Sequence, residues 1–188
     1  MNGNDIKITC MKIETTEFED LLIINNLSIS DERGRFFKPF NYDFFKHSKL
    51  DTDYKEFYYS ISKKNVIRRM HFQIPPYHHS KLVYVSQGRI LDVVVDLRRK
   101  SVTYRKSFSI ELNVDNGRFL YIPVGFAHGF LSLENDTIVN YAQTSCYSKE
   151  HDKGVLFNSF DFQWNVSNPI VSDRDLSFEE LHIYKSPF

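Results

Sequence analysis

The sequence predicts an all-β domain: a jelly-roll β-sandwich or barrel with a few short peripheral helices. Three observations predict it. Short strand-like segments recur along the chain, turn signals separate them, and helical periodicity is scarce. The 17 Phe and 11 Tyr suit an aromatic-lined barrel interior. A chain of 188 residues fits one domain and can bury roughly 70% of its unfolded surface, enough for a core without disulfides or metal.

Taken in order, residues 1–10 carry no periodic pattern and read as an N-terminal extension, with the single domain expected over residues 11–188. A short helical stretch is predicted near Asp43–His47. His71 falls on a predicted strand within Asn65–Gln73, beside the basic pair Arg68-Arg69. Further strands are predicted over Leu82–Val85, Ile90–Leu97, Arg118–Ile122, Gly129–Leu133 and Thr137–Tyr141. Lys106–Leu112 alternates apolar and polar almost strictly, the mark of a half-buried strand. Gln87-Gly88 and Asn116-Gly117 supply turn chemistry between strands. A second short helix is predicted near Phe178–Leu181, and Asp175 is a helix-cap candidate ahead of Leu176.

Composition narrows the partners. Lys plus Arg balances Asp plus Glu at 24 each, so no global field favours nucleic acid or an anionic membrane. Any polyanionic ligand must be held by a local cluster. Cys10 and Cys146 cannot build a disulfide framework, which fits a reducing, cytoplasmic location. No run approaches the roughly 18 apolar residues of a membrane span, and the polar start lacks a secretory segment.

Two histidines have informative contexts. His71 lies in Met70-His-Phe-Gln73, and His128 in Ile122-Pro-Val-Gly-Phe-Ala-His-Gly-Phe130. The spacing of Gly117, Pro123, Gly125 and His128 resembles the second motif of the cupin superfamily, which makes the expected jelly roll cupin-type. Metal-binding cupins need three or four convergent ligands. Here the position two after His71 is Gln73, and no carboxylate follows before Gly88, so no metal is expected. His78 and His79, after Pro75-Pro76, read as a solvated loop pair. His47, His151 and His182 read as surface residues.

Eight segments then align with one family. Asp31-Glu-Arg-Gly34, Asn65-Val-Ile-Arg68, Met70–Gln73, Lys81-Leu-Val83, Asp92–Arg98, Ser101-Val-Thr-Tyr104, Ile122–Phe130 and Ser172-Asp-Arg-Asp175 resemble the dTDP-4-dehydrorhamnose 3,5-epimerase family in order and spacing. The resemblance implies an epimerase, with no cofactor, acting on a nucleotide-diphosphate-linked 4-keto-6-deoxy sugar in surface polysaccharide biosynthesis. It implies His71 as general base, Asp175 as the carboxylate orienting it, Tyr141 as general acid and Lys81 beside the keto oxygen. It also implies substrate contacts for Arg33, Arg68, His128, Tyr147, Gln73 and Tyr58, and a homodimer in which the neighbouring subunit helps close the nucleotide site. The chemistry is coherent: a neutral histidine can remove a proton acidified by the adjacent ketone, and an aspartate can fix its tautomer.

The chain departs from the family at several contact positions. Arg69 stands where the family has glycine, Glu56-Phe-Tyr58 replaces Gln-Asp-Asn, Lys38 replaces a glutamate, and Cys146 replaces the first tyrosine of a pair. These changes leave open the nucleotide base and epimerisation at C3, C5 or both. Two alternatives remain: a sugar-nucleotide 3,4-ketoisomerase, which shares the enolate chemistry, and a non-catalytic sugar-nucleotide binding cupin.

Overall fold

In a β-strand successive side chains point to opposite faces, so strands that bury both faces need cover on each side. The computed structural model, which describes residues 7–188, supplies that cover with two facing sheets, a helix outside one and the C-terminal segment outside the other. A six-stranded sheet runs β2 (Lys12–Thr15), β3 (Leu22–Asn25), β11 (Arg118–Ile122), β8 (Lys81–Gln87), β13 (Thr137–Gln143) and β6 (Glu56–Ser62). Facing it is a five-stranded sheet in the order β10 (Ser107–Asn113), β9 (Arg89–Asp96), β12 (Phe126–Ser132), β7 (Ile67–Gln73) and β14 (Asp152–Gly154). A separate three-stranded sheet joins β1 (Lys7–Thr9), β4 (Leu27–Asp31) and β5 (Gly34–Lys38). Two short helices complete the described residues, α1 (Tyr42–His47) and α2 (Asp173–Leu176).

The inner faces of the two large sheets meet in a core that includes Ile23, Val83, Val85, Val94, Leu120 and Phe130. The outer face of the six-stranded sheet packs Ile24, Leu82 and Phe119 against Phe45 of α1. Burying such a phenylalanine contributes roughly 1.5–3 kcal/mol. Asn41 caps α1, its side chain accepting the Phe44 N–H at 2.9 Å. The outer face of the five-stranded sheet packs Met70, Val93 and Leu131 against Val155, Trp164 and Leu181 of the C-terminal segment. β12 is accordingly buried at all seven positions, the continuous pattern of a strand covered on both faces.

The predicted strands from Leu82 to Tyr141 all form, within a few residues of their expected ends. The expected helix near Phe178–Leu181 does not. The turn of helix starts earlier, because Ser172 accepts the Asp175 N–H and caps α2, which places Asp175 inside the helix rather than at its cap. Of the expected N-terminal extension, residues 1–6 lie outside the described residues, and Lys7–Thr9 pair with β4.

Candidate functional site

A cavity of about 1120 Å³ opens between the two large sheets. The five-stranded sheet contributes Arg68, His71 and Gln73 from β7 and His128 from β12. The six-stranded sheet contributes Tyr58 and Ser60 from β6, Lys81 from β8 and Tyr141 from β13. His71 and Tyr141 therefore project from opposite walls. Strict alternation would send Arg68 and His71, three residues apart, to opposite faces of β7. Instead His128 pairs with His71 and Phe130 with Arg68, so residues 69 and 70 oppose the single Gly129. This β-bulge turns both side chains into the cavity.

His71 has a carboxylate beside each of its ring nitrogens. Its Nε2 lies 3.2 Å from Asp175 Oδ1 and its Nδ1 3.5 Å from Asp152 Oδ1. Phe178 stands edge-on to the ring, centroids 5.5 Å apart. Burial lowers the imidazole pKa, Asp152 opposes that shift, and the Lys81 and Arg174 cations add to it. Across the cavity, burial lowers Lys81 to about 8, with Asp152 and Asp92 holding it up. The Tyr141 hydroxyl sits 3.2 Å from Ser60 Oγ. Burial pushes its pKa well above the ordinary tyrosine value, so it is a neutral phenol that can deliver a proton. Tyr58 stacks on Tyr141 with centroids 4.7 Å apart and planes 17° apart, and hydrogen-bonds Gln143 Oε1 at 3.1 Å.

The other expected site residues take varied positions. His128 is buried against Asp92, Nε2 to Oδ2 2.9 Å, with its ring 6.3 Å from that of Tyr141. Arg68 donates to Ser62 Oγ and to the Ile61 carbonyl at the cavity mouth. Tyr147 lies half exposed at the rim. Gln73 lines the cavity, but both ends of its amide bind the protein. Nε2 donates to the Tyr77 and Cys146 carbonyls, and Oε1 accepts from Ser148 N. That geometry makes Gln73 a brace for two loops rather than a free ligand donor. Arg33 is not brought to this cavity within one chain. It sits on the β4–β5 turn, ion-paired with Asp31.

Several cavity residues carried no sequence signal of their own. Asp152 reaches His71 because the three-residue β14 pairs with β7, and no motif marks so short a strand. Arg174, one residue before Asp175, pairs with Asp152. His79 corrects the expectation of a solvated loop pair: it lines the cavity, 3.2 Å from Gln73 Nε2 and 3.1 Å from Ser145 Oγ. Burial lowers its pKa to about 3, so it is neutral near pH 7. His78 is exposed. No group of three or more His, Cys, Asp or Glu placed to hold a metal ion occurs among the described residues. No helix among them is long and apolar enough to cross a membrane.

A family model described as dTDP-4-dehydrorhamnose 3,5-epimerase matches residues 15–182. The chain belongs to that family. It is 36% identical over 174 residues to the dTDP-4-dehydrorhamnose 3,5-epimerase of Shigella flexneri, covering 91% of this chain and 96% of that protein. The solved dTDP-4-dehydrorhamnose 3,5-epimerase of Bacillus anthracis, with TDP and pyrophosphate bound, superposes with a TM-score of 0.87. It is 37% identical, and the match covers 90% of this chain and 98% of that one. A Legionella pneumophila 3,5-epimerase solved with dTDP-4-keto-L-rhamnose gives a TM-score of 0.88 at 29% identity, covering 94% and 95% of the two chains. The all-β, cupin-type jelly roll is the fold of this epimerase family.

Seen within that epimerase family, the departures on β6 acquire geometry. Glu56 is engaged by the protein: Oε2 accepts from Gln143 Nε2 at 2.9 Å and Oε1 from Tyr147 N at 3.0 Å. Phe57 points outward and is 69% exposed, while Tyr58 covers the Tyr141 ring. In this chain Tyr58 thus forms the wall beside the tyrosine, and Glu56 ties β6 to the end of β13 and the segment that follows it.

Proposed function

We propose that the protein inverts C3, C5 or both of a nucleotide-diphosphate-linked 4-keto-6-deoxy sugar, in deoxysugar and surface polysaccharide biosynthesis. The observation that carries this reading is the placement of His71, backed by Asp175 at 3.2 Å, opposite Tyr141 across one cavity. His71 removes the proton next to the ketone, and the electron pair passes to the keto oxygen as an enolate. Lys81 stabilises that oxygen, where one well-placed donor is worth roughly 3 kcal/mol. Tyr141 returns a proton to the other face, which inverts the centre. Arg68 and Tyr147 sit at the mouth, where a diphosphate and a base enter; a guanidinium fork suits a diphosphate. Proton transfer alone completes the cycle, so the proposal includes no cofactor.

The functional unit in this proposal is a cytoplasmic homodimer. Phe57, Tyr59 and Ile61 form an exposed apolar row on the edge strand β6, at 69%, 65% and 54% exposure. The β1–β4–β5 sheet has no buried side chain along β4 or β5 and presents Phe36 at 53% exposure. Both features suit cover by a second copy.

Deuterium incorporation in D2O from a panel of dTDP-, GDP- and CDP-linked 4-keto-6-deoxy sugars, read by NMR, tests the proposal. Label at C3, C5 or both with inverted product is expected. A product ketone at C3 would make the protein a ketoisomerase, and absence of label from the whole panel would leave only binding. His71→Asn is expected to abolish label with the fold intact. Tyr141→Phe is expected to slow inversion by ~10²-fold while label exchange falls less.

A further inference from the structure

A histidine ring has two nitrogens, and in its neutral form only one carries hydrogen. In this protein both face carboxylates: Nε2 faces Asp175 at 3.2 Å and Nδ1 faces Asp152 at 3.5 Å. A neutral ring can donate to only one of them, leaving the other opposite a lone pair. The imidazolium satisfies both.

Asp152 is held in place from two directions. The β14–β7 ladder sets Asp152 opposite Gln73 and Gly154 opposite His71, and the Asp152 side chain is only 9% exposed. Arg174, from the same helix that carries Asp175, pairs with its second oxygen. The charged groups facing the ring are thus Asp152 from β14, Asp175 and Arg174 from α2, and Lys81 from β8.

We propose that Asp152, anchored by Arg174, is a second positioning carboxylate of the base, pairing with the ring nitrogen that Asp175 leaves and stabilising the imidazolium formed when His71 takes a proton. The proposal rests on His71 being the base. In that step the C–H bond beside the ketone breaks, an N–H bond forms on His71, and the electron pair moves to the keto oxygen. Both ring N–H groups then meet an anion. Without Asp152, burial and the Lys81 and Arg174 cations would leave a weaker base, because all three disfavour the charged ring.

The test is an NMR titration of the His71 imidazole in the free protein, which needs no substrate. Asp152→Asn is expected to lower its midpoint by about one pH unit or more, and Asp152→Glu to restore it. The acid limb of kcat/KM should move the same way, with kcat down about tenfold and KM changed less than about twofold. An unmoved midpoint in Asp152→Asn, with the β14–β7 amide pairing intact, would overturn the proposal. Should that variant fail to fold, Asp152→Ser must lower the midpoint in the same way; no change there overturns it equally. A shifted titration without proton exchange from any sugar nucleotide would remove His71 as base and leave the pairing. Exchange with an unmoved titration would do the reverse.

Discussion

Burial acts on His71 and Lys81 in the same direction, and their protonation states bracket the working pH. As the proposed base, His71 must be neutral to accept a proton, and its pKa lies below the ordinary 6.5. Its active form is therefore lost only as pH falls through a value below 6.5. In its proposed role Lys81 must be cationic to stabilise an enolate, and that form is lost as pH rises through about 8. The kcat/KM profile of the free enzyme is then expected to be bell-shaped, with its alkaline limb near 8 and its acid limb below 6.5. Lys81→Met should remove the alkaline limb and lower kcat by ~10²-fold. A wild-type profile still rising through pH 9 would count against this role for Lys81. Tyr141 adds no limb in this range, since burial keeps its phenol neutral.

At the scale of elements, the site depends on how β7 is flanked. Its bulge brings Arg68 and His71 to one face, and β14 brings Asp152 and Gly154 alongside. Gly154 is required by space: a Cβ there would lie 1.9 Å from Phe178 Cε2, the ring that stands against His71. Gly154→Ala should destabilise the fold by ~1–3 kcal/mol, as overpacking does. It should also lower kcat, because Phe178 must move away from the His71 ring; denaturant unfolding and kinetics on one preparation check both. Wild-type stability together with wild-type kcat would show that Phe178 yields freely. These elements also mark the limit of what the sequence discloses. Strands with clean alternation or glycine turns, such as β10 and β8–β9, are legible because side-chain period and turn chemistry are local. The bulge is not, since period two assigns Arg68 and His71 to opposite faces. Neither is β14, whose three residues carry no period, so Asp152 stays hidden until the ladder is seen. The helix predicted at Phe178–Leu181 fails for a related reason: Ser172 starts α2 a turn earlier, and Phe178 is taken up as a wall of the site.

At the scale of the whole molecule, Arg33 is the residue that the resemblance names and a single chain leaves outside the cavity. The chain leaves the six-stranded sheet after β3 and enters β4, and the resulting β1–β4–β5 sheet pairs with no strand of the other two. Three strands without buried side chains along β4 and β5 do not form an independently stable unit in water. A second copy would offer apolar cover, and the exposed row on β6 alternates along that strand with Tyr58 and Ser60, which line the cavity. In a two-fold dimer each arm would reach the partner's cavity, so Arg33 would act in trans. Arg33→Ala is then expected to raise KM about tenfold or more, with kcat less affected, as loss of a phosphate contact does. His71→Asn should be inactive at any substrate concentration. Mixing the two variants after reversible dissociation forms hybrid dimers in which one site keeps its own His71 and receives Arg33 from the partner. At equal amounts roughly a quarter of all sites should regain wild-type KM, the fraction set by random pairing of two-fold dimers. Recovery of that low-KM fraction would place Arg33 across the interface. A mixture whose activity never exceeds that of its Arg33→Ala component would confine Arg33 to its own turn, where Asp31 already holds it.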